Sequence, residues 1–234
     1  MSFLKNKKIF TLIICCYNQE KFLSHCLKSL INQKYNKRKF NIIFVDDNSK
    51  DNSLKLAKKI LNKKNNCEII SNKKNIGLTK SCNKALKKTK TKYFIRVDSD
   101  DIISKKLLYY FEKEVNKNPD LIFCDRIEFN KSSKLIVKNK NKYIFKMISC
   151  GTALKTKKVI KIGGYKDIKW EEFDLYIRYL SDKSKIINIK KNIYFYRKHK
   201  LGMSSNKNWL RKAWTELFKK YGKENLRKYG DIVI

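Results

Sequence analysis

A short apolar strand runs straight into a cluster of acids: Tyr93-Phe94-Ile95-Arg96-Val97-Asp98-Ser99-Asp100-Asp101. The chain carries a formal net charge of +36, so three carboxylates within four residues of a strand end stand out against their background. Carboxylates at i and i+2 can turn toward one point where the backbone leaves a sheet. Mg²⁺ or Mn²⁺ held by one or two carboxylates plus substrate phosphates suits such a place. The ion would neutralise a diphosphate leaving group as its bond breaks. The plainer alternative is a helix N-cap cluster, because acids favour helix starts. That account covers Asp101 or Ser104 and leaves Asp98 and Asp100 unexplained.

Three further clusters could join it. Asp46-Asp47-Asn48-Ser49 ends a second apolar run. A carboxylate there either caps the following turn or accepts hydrogen bonds from a base N–H or a ribose hydroxyl. Glu171-Glu172-Phe173-Asp174 opens a helix after a Gly-Gly turn. Acids in that position complement the helix dipole, and one facing the same rim could act as general base toward an acceptor hydroxyl. His199 follows Tyr196-Arg197-Lys198 at a strand end, where an imidazole is a packing group, a phosphate donor or a metal ligand. No G-x-G-x-x-G follows the first strand and no P-loop is present, which disfavours a dinucleotide fold of the usual kind.

The elements that must position these groups follow from hydrophobic periodicity. The continuous apolar run 10–16 reads as a buried parallel strand. Further strands are expected at 40–45, 67–70, 93–97 and 121–124, with helices after Asn18-Gln19-Glu20, after Asn52-Ser53, over 79–86 and from Ser104 to about Val115. This β-α-β alternation with short connections predicts an α/β fold: an open, Rossmann-like, mostly parallel central sheet flanked by helices. Ligands of such sheets bind beyond the carboxyl ends of the strands, and loops 17–20, 46–49, 75–77 and 98–101 all lie there. The second half is less regular. It offers a hairpin over 126–138 with Ser132-Ser133 at the turn, a short apolar element at 142–149, and a strand at 150–154. A helix at 170–179, strands at 186–189 and 193–196, and a basic amphipathic helix from Asn208 to about Tyr229 complete it. We divide the chain into a domain at 1–205 and a helical extension at 206–234.

Composition bounds the partners. A chain of 234 residues, 42% hydrophobic, fits one α/β domain with a substantial core. The lysine excess attracts anions: nucleic acid, an acidic membrane surface and a nucleotide-sugar all qualify. Nucleic acid is disfavoured, because Arg, the residue of bidentate base contacts, is scarce and no zinc-finger or RRM signature occurs. The seven cysteines are odd in number, lack C-x-x-C spacing and lie partly in apolar runs. They read as reduced, buried thiols of a cytoplasmic protein. The first apolar run is short and ends in Tyr17-Asn18, so it reads as a core strand rather than a signal peptide. No run of 18 uncharged apolar residues occurs.

Taken in order, these motifs resemble the family 2 glycosyltransferases, inverting enzymes with the GT-A fold. Thr11-Leu12-Ile13-Ile14-Cys15-Cys16-Tyr17-Asn18 looks like the family's opening strand, with Cys16 where a Pro usually stands. Val45-Asp46-Asp47-Asn48-Ser49-Lys50-Asp51 resembles its nucleotide-binding acidic loop. Asn75-x-Gly77 followed by Asn83 resembles the next motif, with Cys82 where an Arg is frequent. Val97-Asp98-Ser99-Asp100-Asp101 resembles the D-x-D element. Gly163-Gly164-Tyr165 with Glu171-Glu172-x-Asp174-Leu175 resembles the region of the catalytic base, with Glu172 where the family usually has Asp. Tyr196-Arg197-x-His199 resembles the late motif near the diphosphate. The similarity covers about residues 10–205.

The resemblance implies a sugar transferase using a nucleotide-diphosphate donor, UDP-linked by expectation, and Mn²⁺ or Mg²⁺. The acceptor would be a glycan or lipid-linked glycan of cell-surface polysaccharide, lipopolysaccharide or capsule synthesis. Tyr17 would stack near the base, Asp47 would bind the base edge, and Asn75 would line the nucleotide site. Asp98 would contact the ribose region or the metal, and Asp100 would bind the metal with Asp101 assisting. His199 would hold the diphosphate or metal, and Glu172 would deprotonate the acceptor. Lys80 or Lys84 could replace the positive charge lost at Cys82. Two rival readings are a nucleotidyltransferase of related architecture and a basic nucleic-acid-binding module. In the C-terminal segment, Leu210, Trp214, Leu217, Phe218 and Tyr221 share a face bordered by lysines and arginines. That face either packs on the catalytic domain or lies in an anionic membrane surface, which would place the protein peripherally on the inner face of the cell membrane.

Overall fold

The computed structural model describes residues 7–138, 150–181, 183–200 and 202–229. The apolar element expected at 142–149 lies outside them. The first half alternates as expected: β1 (Phe10–Cys16), α1 (Glu20–Ile31), β2 (Phe40–Asp46), α2 (Ser53–Leu61), β3 (Cys67–Ser71), α3 (Leu78–Lys88), β4 (Tyr93–Arg96). A two-residue β5 (Ile102–Ile103) and α4 (Leu107–Val115) follow, then β6 (Leu121–Phe129), β7 (Lys134–Val137), β8 (Ala153–Lys155), α5 (Thr156–Lys161), α6 (Glu171–Tyr179), β9 (Ile186–Arg197), α7 (Lys207–Tyr221) and α8 (Lys223–Arg227).

The described strands form one sheet in the order β3-β2-β1-β4-β8-β6-β9-β5, with β7 paired to β6 as the expected hairpin. Pairings β3-β2, β2-β1, β1-β4 and β6-β9 are parallel. The short β8, antiparallel to both β4 and β6, separates the two parallel groups. Two antiparallel steps restore direction, so β1, β2, β3, β4, β6 and β9 all end on one edge. The two strands expected at 186–189 and 193–196 are one strand, β9. Its register with β6 jumps from Ile189 to Asn192, and the exposed Lys190 and Lys191 occupy the irregularity, as a bulge allows.

Strand alternation feeds two cores, one on each face of the sheet. Phe10, Leu12, Ile14 and Cys16 of β1 pack with α1, α2 and α4. Ile13, with Val45, Phe94 and Phe123, packs with α3, α6 and α7. This double burial explains why β1 and β2 read as unbroken apolar runs.

The C-terminal helix docks on this second core. Ala213, Trp214, Leu217 and Leu226 are buried, and Trp214 meets Trp170 edge to face with centroids 4.8 Å apart. The single helix expected over 208–229 is broken at Gly222, whose φ of +76° ends α7 before α8 begins. Asp174 of α6, fully buried, fixes the dock: it accepts hydrogen bonds from Arg178 Nε (2.8 Å), Tyr221 Oη (2.6 Å) and Lys220 Nζ. Burial works against its charge, yet Lys220, Tyr221 and Arg178 together hold its carboxyl below the ordinary range. That contribution is therefore present above the ordinary carboxylate range and disappears as pH falls through the lowered value. Asp174→Ala should cost about 2–3 kcal/mol, since it removes the carboxylate that Arg178, Lys220 and the half-buried Tyr221 hydroxyl share. Urea denaturation would measure it, and a loss under about 0.5 kcal/mol, within the range of ordinary surface changes, would refute the anchoring role. No helix among the described residues is long and apolar enough to cross a membrane.

Candidate active site

The carboxyl edge of the sheet opens into a cleft of about 570 Å³. Its first wall comes from the ends of β1 and β2. Asp46 and Asp47 are both buried and divide their work. Asp46 takes the Ser49 N–H (3.2 Å) and caps the turn. Asp47 reaches across to the loop before α3: its Oδ1 accepts from Ile76 N (2.9 Å) and Asn72 Nδ2 (2.9 Å), and its Oδ2 from Gly77 N (2.8 Å). Gly77 starts α3 with φ +86°, a conformation costly for residues with a Cβ, and that conformation presents its N–H to Asp47. Asn75 Oδ1 also meets Gly77 N at 3.2 Å. Asp47 and Asn75 thus line the cleft while tying two loops together, and Tyr17, 44% exposed, stands free at the same wall.

The acid cluster after β4 separates into three environments. Asp98 Oδ1 accepts from Arg96 Nε (3.0 Å) and its Oδ2 from the Cys150 thiol (2.7 Å). Asp100 lines the cleft, and its Oδ2 lies 2.8 Å from His199 Nε2. Burial and the neighbouring Asp98 raise its pKa. Asp101 is 1% exposed and turned inward: Oδ2 accepts from Tyr194 Oη (2.6 Å) and Oδ1 from Arg197 N (2.7 Å). Burial pushes its pKa well up, and Asp100 and Asp98 add to the effect. Asp101 therefore ties the end of β9 beneath the cleft and is absent from the cleft wall.

The opposite wall is the start of α6. Trp170 precedes the helix with φ 60°, ψ 48°, a left-handed conformation costing roughly 1–3 kcal/mol for a bulky residue. Its ring is packed against Phe173, Trp209 and Trp214, contacts that hold the strained backbone in place. This turn delivers two glutamates with different surroundings. Glu171 is buried and paired with Arg96 Nη1 at 2.6 Å. Glu172 lines the cleft. Burial, reinforced by the adjacent Glu171 charge, raises its pKa to about 8, against a lowering pull from Arg96. A cleft carboxylate with a raised pKa is suited to proton transfer near neutral pH.

The structure thus brings Tyr17, Asp47, Asn75, Asp98, Asp100, Glu172 and His199 into one cleft. It also gives prominence to Arg96, which no motif marks, and shows what the motif residues Arg197, Cys82 and Asn83 contact. Arg96, 4% exposed, bridges Asp98 and Glu171. Its position inside a strand gave no signal, because its partners come from a loop and from a helix 75 residues away. Arg197 donates Nε to the Asp100 carbonyl (2.7 Å) and sits over the Phe22 and Phe129 rings. Cys82 is buried with its Sγ 3.5 Å from that of Cys15. Neither neighbouring lysine replaces a charge at that point, since Lys84 binds Asn72 (2.7 Å) and Lys80 pairs with Asp167 (3.4 Å). Asn83, the last residue of that motif, holds Tyr165 through both its N–H (2.9 Å) and its carbonyl (2.8 Å).

Among the described residues, two groupings could receive a divalent metal. Asp98, Asp101 and Cys150 bring ligand atoms within 4.8 Å of one another. Burial raises the Cys150 thiol's pKa well above its usual value, so it is a protonated donor to Asp98, and thiolates prefer softer ions than Mg²⁺. Asp100 and His199 fit better. They face the cleft, offer a carboxylate and an imidazole, and His199 Nδ1 is buried without a hydrogen-bond partner. One or two carboxylates completed by substrate phosphates is an ordinary arrangement for Mg²⁺ or Mn²⁺.

Comparison with known proteins agrees with the motif order. The sequence profile of glycosyl transferase family 2 matches residues 11–171. An uncharacterised glycosyltransferase of Haemophilus influenzae is 35% identical over 114 residues, covering 47% of this chain and 35% of that protein. A poly(ribitol-phosphate) beta-glucosyltransferase of Bacillus spizizenii is 39% identical over 108 residues, covering 44% of this chain and 17% of its own length. The chain therefore spans about a third or less of these two relatives. Among solved structures, S. aureus TarS residues 1–349, in complex with UDP-GlcNAc, superposes with a TM-score of 0.77 at 21% identity, covering 94% of this chain and 71% of that one. At that identity the likeness is one of fold, and the fold is GT-A.

Proposed function

This chain belongs to glycosyl transferase family 2, and we propose that it moves a sugar from a nucleotide-diphosphate donor, UDP-linked, to a glycan hydroxyl with inversion at the anomeric carbon. One observation carries the reading: a single cleft is lined on one side by Tyr17, Asp47 and Asn75, at its floor by Asp98, Asp100 and His199, and on the far side by Glu172. Tyr17 and the Asp47-braced loop receive the nucleoside. Asp98, fixed by Arg96 and Cys150, faces the ribose and sugar. Glu172 takes the proton of the acceptor hydroxyl. The acceptor oxygen then bonds to the anomeric carbon from the face opposite the diphosphate, the bond from that carbon to the diphosphate oxygen breaks, and the nucleoside diphosphate leaves with the electron pair. UDP as the nucleotide is supported by the UDP-GlcNAc carried by TarS.

Asp100 and His199 would hold Mn²⁺ or Mg²⁺, which when bound supplies positive charge to the leaving diphosphate. The two rival readings lose their support, because a nucleotidyltransferase or a nucleic-acid module has no use for the ordered set of family motifs. Peripheral attachment to an anionic membrane would rest mainly on surface lysines, since Trp214 and Leu217 at the centre of the apolar face of α7 are buried on the domain. Cell-surface glycan synthesis at the inner membrane face, in the cytoplasm, is the setting we assign to the reaction.

The test is release of nucleoside diphosphate from a panel of UDP-, GDP- and dTDP-sugars with Mn²⁺ or Mg²⁺. Activity is expected with a UDP-sugar, to vanish on chelation with EDTA, and to fall at least about 100-fold in Asp100→Ala. Release of pyrophosphate instead would identify a nucleotidyltransferase, and full activity in EDTA would remove the metal from the scheme.

A further inference from the structure

Phe22, in the first turn of α1, is half-buried and belongs to neither core, although Leu23, Cys26, Leu27 and Leu30 of the same helix are buried. Its ring meets the end of β9 instead. The His199 ring lies against it, with centroids 4.7 Å apart and planes tilted by 41°, inside the range in which aromatic pairs attract. The Arg197 guanidinium sits 4.9 Å from the Phe22 centroid and 4.6 Å from that of Phe129, so the cation is held between two rings.

Both groups that Phe22 touches act on Asp100. His199 Nε2 lies 2.8 Å from Asp100 Oδ2, and Arg197 Nε donates to the Asp100 carbonyl at 2.7 Å. The two differ in their other support. Arg197 is also tied by its backbone N–H to Asp101 and by its side chain to Phe129. The backbone of His199 is fixed, since its carbonyl accepts from Gly202 N (3.0 Å) and Ser205 Oγ (2.9 Å). Its ring lacks the usual second anchor. A metal-binding imidazole ordinarily donates its other ring N–H to a carboxylate, carbonyl or water, which sets the ring's orientation. His199 Nδ1 is buried and has no hydrogen-bond partner among the described residues. The ring contact with Phe22 stands where that hydrogen bond would be.

We infer that Phe22 is a positioning residue for the metal site: its ring holds the His199 imidazole toward Asp100 and so sets the affinity for Mn²⁺ or Mg²⁺. This role rests on Asp100 and His199 being the pair that holds the cation. An aromatic ring is what the position requires, because a flat surface limits rotation of the imidazole where a branched aliphatic side chain leaves it free to turn. Leucine at position 22 would keep the apolar character and lose that surface, whereas tyrosine would keep both.

Binding of Mn²⁺ to the full chain in the presence of UDP, followed by loss of the free-ion electron paramagnetic resonance signal, tests this without turnover. Wild-type protein, Asp100→Ala and His199→Ala are measured first. No Mn²⁺ binding by wild type, or unchanged binding in either variant, would overturn the metal assignment and this inference with it. With the assignment intact, Phe22→Leu is expected to weaken Mn²⁺ binding about tenfold, the lower end of what loss of a ligand-orienting partner costs. Phe22→Tyr should stay within about twofold of wild type, and adding Phe22→Leu to His199→Ala should change affinity less than about twofold, because the ring being oriented is gone. Thermal unfolding of Phe22→Leu should stay within about 3 °C of wild type, as for a side chain outside the core. Four results would each overturn the inference: wild-type Mn²⁺ affinity in Phe22→Leu, equal losses in Phe22→Leu and Phe22→Tyr, a further tenfold loss in the His199→Ala background, or failure of Phe22→Leu to fold, which would make the ring a core residue.

Discussion

Glu172→Gln is expected to lower sugar transfer by about 10²–10⁴-fold, the usual contribution of a positioned acid–base group, while UDP affinity is retained. Glutamine keeps the size and hydrogen-bonding reach of the side chain and removes its ability to take a proton. Glu171 cannot substitute, because it is buried and held by Arg96 at 2.6 Å. The pH dependence supplies an independent readout. Burial and the Glu171 charge raise the Glu172 pKa to about 8, so below that value the group carries its proton and cannot act as base. The sign is therefore a rise of kcat/KM with pH, with a midpoint near 8 that reports the free enzyme and disappears in Glu172→Gln. Glu172→Asp restores a carboxylate one methylene shorter and is expected to recover part of the rate. Wild-type turnover in Glu172→Gln would refute the assignment.

Arg96→Met should destabilise the fold by about 3–5 kcal/mol, the range seen when one partner of a buried ion pair is removed. For a chain of this size that corresponds to a drop in Tm on the order of 10 °C. The cause is specific. Arg96 is 4% exposed and donates to Asp98 at 3.0 Å and to Glu171 at 2.6 Å. Its loss leaves Glu171 without that partner and Asp98 with the Cys150 thiol. The double variant Arg96→Met/Glu171→Gln should recover part of the loss, and the non-additivity measures the coupling. The same guanidinium lowers the Glu172 pKa, so where Arg96→Met remains folded its kcat/KM midpoint should move further up. A loss below about 1 kcal/mol, typical of an exposed pair, would show that the bridge contributes little.

Much of the lining of the candidate cleft is legible in the sequence. Asp98, Asp100, Asp47 and Tyr17 follow apolar runs, and a parallel sheet sends such residues to one edge whatever the details of packing. In the sequence Asp101 groups with its neighbours, because spacing alone cannot tell which of two adjacent carboxylates turns inward. Tyr194 and the Arg197 amide decide that, and both belong to a strand more than 90 residues later. A strand is legible at 150–154, but the antiparallel direction of β8 and its place between β4 and β6 are not. Its three paired residues are too short to announce a direction, and insertion between β4 and β6 depends on both neighbours being present.

The sequence by itself determined the alternation of strands and helices, the rim on which the acids collect, and the family motifs in their order. These are properties of local periodicity and of strand-end chemistry, which neighbouring residues largely dictate. Only the tertiary structure decided why Glu172, to which the motif order points, differs in its surroundings from its neighbour Glu171. Glu171 and Glu172 are adjacent and chemically identical, yet one meets a buried arginine from β4 and the other faces the cleft with its proton affinity raised. The difference arises from desolvation and from charges brought close across long stretches of chain, and neither exists until the sheet and α6 have come together.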